Sequence, residues 1–91
     1  MTPEKVLEVI DRYEKFLAPK KLEPKRLTGK GVIYKERIGH LLYMCAEIRK
    51  FVAEGRMEKA FRWLGFIQGA LWSDAHFTVE ELALHNKPAE A

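Results

Sequence analysis

The chain has 91 residues, a formal net charge of +3, 47% hydrophobic and 32% charged side chains; this excludes a disordered chain and leaves room for one domain with a modest core. A single cysteine, Cys45, excludes an internal disulfide framework and a cysteine-based zinc site, which fits a reduced, cytoplasmic setting, and no signal-peptide pattern opens the sequence. The longest apolar run, Trp63 to Trp72, is broken by Gln68 and falls short of the about 20 residues a bilayer span needs, so no membrane is expected.

Taken in order, Thr2-Pro3 reads as a helix start, a hydroxyl N-cap followed by proline at the first helical position. Val6, Val9, Ile10, Tyr13, Phe16 and Leu17 recur at helical spacing, which predicts a short N-terminal helix stopped by Pro19. Residues 19 to 31 hold two prolines, two glycines and five basic side chains and read as a loop, pinned by Leu22 and Leu27. Positive charge is concentrated here: residues 20 to 37 sum to +5 and the rest of the chain to −2. Such a cluster points to an anionic partner (phosphate, nucleotide, nucleic acid or an acidic protein) or to a solvated lysine-rich loop. Thr28-Gly29-Lys30-Gly31 lacks the spacing of a phosphate loop.

A long helix is expected from about Ile33 to Glu54, where Tyr34, Ile38, Leu41, Cys45, Ile48 and Val52 form a heptad-like seam. Gly55 ends it in a left-handed conformation, and the next helix, Arg56 to Trp72, follows at once, so the two form an antiparallel hairpin. On this third helix Met57, Phe61, Leu64, Gln68 and Leu71 are expected to line the seam. Gly65, Gly69 and Ser73, four residues apart, make a smooth stripe. Each mid-helix glycine costs about 0.5–1 kcal/mol relative to alanine, so a ring or backbone packed closely against them is expected. After a break at residues 73–76, Thr78-Val-Glu-Glu81 is a capping box opening a short helix that ends at Asn86. The fold class is therefore all-α and one domain over residues 1–91: N-terminal helix and basic loop (1–31), hairpin (32–72) and C-terminal helix (78–86). The second half of the third helix is apolar on nearly every side, which in so short a chain implies a homo-oligomer, at least a dimer, that buries part of the Trp63, Phe66 and Trp72 surface.

Catalysis is not expected. Ser73, Asp74 and His76 crowd one turn, where they cannot relay a proton as a triad. His40, His76 and His85 match no metal-ligand spacing, and Cys45 sits on an apolar seam, so no cofactor or metal is called for. Folding the hairpin about Gly55 pairs Glu47 with Arg62 and brings His40 toward Gln68 or Trp72. These contacts either lock the helix register or line a pocket. In the second case Lys30, Arg37 and Arg62 hold phosphate charge, Tyr34 and Trp63 stack a base, and His40 and Gln68 orient it.

His40-Leu-Leu-Tyr-Met44, the run Glu54 to Phe66 with its Arg62-Trp63 pair, Gln68-Gly-Ala-Leu-Trp72 and Thr78-Val-Glu-Glu-Leu82 resemble a family of short tailed-phage and prophage proteins. The resemblance covers roughly residues 38 to 88 and implies a phage accessory protein of the bacterial cytoplasm. In size and oligomeric habit the chain is also similar to phage sponges that sequester nucleotide-derived immune signals, although it lacks their ligand motifs. The expectation is a non-enzymatic binder of a small phosphorylated nucleotide-type ligand. Its alternatives are a protein-interaction module that inhibits a host defence enzyme, and a nucleic-acid-binding regulator.

Overall fold

Local capping signals set where the first and last helices begin and where the second and third end. In a computed structural model describing residues 1–20, 24, 26, 27, 29 and 34–88, the elements are α1 (Pro3–Leu17), a 3-10 turn (Ala18–Lys20), α2 (Tyr34–Ala53), α3 (Met57–Ser73) and α4 (Val79–Asn86). Among the described residues every regular element is helical. The Thr2 hydroxyl accepts from the Lys5 amide at 3.1 Å and opens α1. α1 runs 15 residues from Pro3, and the chain passes through Pro19 as a 3-10 turn. The Thr78 hydroxyl accepts from the Glu81 amide while the Glu81 carboxylate accepts from the Thr78 amide, completing the capping box of α4.

The turn between α2 and α3 follows from one glycine. Gly55 has φ +75°, its amide donates to the Val52 carbonyl, and the Arg56 amide donates to the Phe51 carbonyl at 2.8 Å. This is a Schellman stop, in which a left-handed residue satisfies carbonyls that the helix end leaves open. The same pattern ends α3, but with Ala75 in the left-handed position at φ 63° and the His76 amide on the Leu71 carbonyl. A Cβ there costs about 1–2 kcal/mol, and this stop carries no glycine in the sequence.

The core is a single apolar cluster in which α1 supplies Val6, Val9, Ile10, Tyr13 and Leu17. α2 supplies Ile38, Leu41, Cys45 and Ile48 as the spacing predicts, with Leu42, Met44 and Phe51 widening the face. Tyr34, at the first turn of α2, is exposed instead. α3 buries Ala60, Leu64, Ile67 and Leu71, which corrects its predicted seam: Phe61 is 40% exposed and Gln68 is only partly covered. The buried set steps by 4, 3 and 4 residues, so Phe61 lies 100° round the helix from Ala60 and leaves the face. Arg49 of α2 pairs with Glu14 of α1 and lies 3.8 Å from Asp11, fixing the two helices at their rims.

Candidate ligand cleft and buried polar network

His40 organises one side of α2. Its Nδ1 accepts the Leu27 backbone N–H at 3.0 Å, so this nitrogen carries no proton. The ring stacks on Tyr43 and meets Phe66 edge-on. Around it opens a cleft of about 340 Å³ whose walls include Arg26, Tyr43, Arg62, Trp63 and Phe66. Trp63 is held edge-to-face against Phe51 at 4.8 Å, and the Lys59 ammonium lies over both rings, so one indole face is fixed by packing. Arg62 is exposed, with only a loose 3.9 Å approach to Glu58 on the next turn. A smaller recess of about 160 Å³ adjoins, lined by Leu27, Gly29, Arg37, His40 and Phe66 among others. A broader groove of about 550 Å³ between the start of α1 and the end of α4 is lined by Glu4, Lys5 and Glu8 among others, with Lys5 already paired to Glu8.

Arg37 makes a bidentate pair with Asp74, through Nε at 3.2 Å and Nη2 at 2.8 Å, and its guanidinium lies 5.6 Å from the Tyr34 ring centre. Tyr34 Oη is 2.7 Å from His76 Nε2. The first turn of α2 is thus tied to the turn after α3. Asp74 and His76 are engaged in this tie and form no triad with Ser73.

Gln68 faces away from His40. Its Nε2 donates to Tyr13 Oη at 3.1 Å and to Asn86 Oδ1 at 2.7 Å, while Asn86 Nδ2 donates back to Gln68 Oε1 at 3.1 Å. Tyr13 is fully buried, and its hydroxyl, which accepts from Gln68, also shares a hydrogen bond of 2.9 Å with His85 Nδ1. Burial pushes the Tyr13 phenol pKa up, partly opposed by the Gln68 bond. Burial also lowers His85 from its ordinary 6.5, with the Arg12 charge acting in the same direction. The network joins α1, α3 and α4 and leaves no buried side-chain nitrogen or oxygen unpaired among the described residues. In the sequence its one signal is Tyr13 on an otherwise apolar face, because a buried phenol needs a partner.

Both cross-hairpin pairings are corrected. Glu47 pairs with Lys50 at 3.4 Å, and Arg62 turns to Glu58. Arg62 lies one residue, about 100°, before Trp63 and so points outward from α3. Phe66 and Gln68 project from opposite flanks of the buried stripe, so His40 meets Phe66 while Gln68 meets α1 and α4. Of the seven candidate ligand residues, His40, Arg62 and Trp63 line one cleft, and Arg37 lines the adjoining recess. Tyr34 and Gln68 lie in the two polar groupings above, and Lys30 lies outside the described residues. Arg26, Tyr43 and Phe66 join the cleft, and no periodicity in the sequence picked them out.

Cys45 is buried, and its thiol pKa is pushed up to about 12, chiefly by burial. A thiol held protonated in this way makes a poor nucleophile. No cluster of metal-ligating side chains occurs among the described residues, and none of their helices is long and apolar enough to cross a membrane. Comparison with protein families, with curated proteins and with solved structures returned no match.

Proposed function

We propose that the cleft between α2 and α3 holds a small phosphorylated ligand with a planar base and sequesters it without turning it over. One observation carries this reading: Arg26 and Arg62 line the same cleft as Tyr43, Trp63, Phe66 and His40. Guanidinium groups suit phosphate oxygens, and fixed aromatic faces suit a base. The roles first assigned to Lys30, Tyr34 and Gln68 pass in this proposal to Arg26, Tyr43 and Phe66, and Arg37 stands at the neighbouring recess. The resemblance to phage accessory proteins makes signalling nucleotides the first class to try.

Isothermal titration against cyclic nucleotides and ADP-ribose derivatives, with inorganic phosphate as a control, tests the proposal. Binding is expected for at least one nucleotide and is lost in Arg26→Gln/Arg62→Gln. Both residues are exposed, so the fold should survive the change. No heat from any ligand, in protein shown by circular dichroism to be helical, overturns the reading. A nucleic-acid-binding regulator is the second reading, favoured by the exposed Lys20, Arg26 and Lys35. It predicts a gel shift that weakens steeply with salt.

A further inference from the structure

The side of α3 turned away from the core is not the polar face of an ordinary surface helix. It carries Phe61 at 40%, Phe66 at 59% and Trp72 at 56% exposure. Between these rings lie Gly65 and Gly69, and a Cβ built on either meets nothing within 4 Å. The close neighbour expected from two mid-helix glycines is therefore not supplied by the described residues of the same chain. From Gly65 to Ser73 no charged residue appears, and the only charges on this face, Glu58 and Arg62, stand at its N-terminal end.

We infer that this face binds a second copy of itself, with the two α3 helices antiparallel about a two-fold axis. In that pairing Gly65 faces the partner's Gly69, and the charged end of one helix lies over the uncharged end of the other. Arg62 then sits against the partner's Trp72, a cation over an indole, and no like charges meet. A parallel pairing would instead set Glu58 on Glu58 and Arg62 on Arg62. The two glycines let the backbones approach more closely than the usual 8–10 Å between helix axes, and the flanking rings fill the groove on each side. At about 200 Å² per aromatic side chain, the exposed parts of the three rings offer on the order of 300 Å². A standard interface buries roughly 800 Å² per partner. The rings thus make the apolar centre, and Glu58, Arg62, Ser73 and the glycine backbone extend it toward the rest.

Sedimentation equilibrium across a concentration series tests the pairing. The wild-type chain is expected to pass from 10.6 kDa to twice that mass as concentration rises. Gly65→Gln/Gly69→Gln is expected to remain monomeric while keeping its helical circular dichroism, because each position has open space in the protomer. Arg62 and Phe66 belong to both this face and the ligand cleft, whereas Gly65 and Gly69 line neither the cleft nor its adjoining recess, so loss of dimer in this variant with nucleotide binding kept separates this inference from the ligand proposal. A wild-type chain that stays monomeric throughout overturns the inference and leaves the face to a different partner. A dimer that survives the double substitution also overturns it, because the interface then lies elsewhere.

Discussion

Replacing Tyr13 with Phe removes one oxygen from the centre of the polar network and leaves the ring in place. The ring keeps its packing against Phe77 at 6.0 Å and His85 at 5.6 Å, so no cavity term enters. Two hydrogen bonds go, with His85 Nδ1 and from Gln68 Nε2, each worth about 1 kcal/mol net. Gln68 retains Asn86, but His85 Nδ1 is left without its hydroxyl partner on a residue only 8% exposed, which adds roughly another 1 kcal/mol. The expected loss is about 2–3 kcal/mol. For a domain of this size that lowers Tm by about 10–20 °C. Urea unfolding followed by circular dichroism should show a lower midpoint at an unchanged m-value. A double-mutant cycle with Gln68→Leu should return a coupling of about 0.5–3 kcal/mol. A Tyr13→Phe loss below about 0.5 kcal/mol, or full additivity with Gln68→Leu, would refute the network as a structural unit.

Three further outcomes follow from the same structure. Because His85 is held below its ordinary 6.5, the unfolded chain takes up a proton first as pH falls; the His85 contribution is present above that value and is lost below it. Urea midpoints at pH 7.5 and pH 5 should therefore diverge, and less so in His85→Phe. Cys45 should ignore a thiol reagent in the native protein and react with one equivalent only once the chain is unfolded. The two left-handed stops should respond oppositely: Gly55→Ala is expected to cost about 1 kcal/mol and Ala75→Gly to add about 1 kcal/mol, both read by thermal unfolding.

The helices and their stops were legible in the sequence because they are local. Thr2, Gly55 and the Thr78/Glu81 pair act within four residues of themselves, and their geometry carries no information from elsewhere in the chain. The apolar period of α1 and α2 likewise named most of the core. What the sequence could not decide is which way each polar side chain turns once three helices meet. On α3 a shift of one residue is a rotation of about 100°, enough to carry Arg62 outward and Phe61 out of the core. Gln68 and Phe66 are two residues apart, yet one bonds Tyr13 and Asn86 and the other meets His40. Only the packing of α1 and α4 on one flank and of Leu27 on the other settles those choices, because the partners are up to 72 positions distant along the chain.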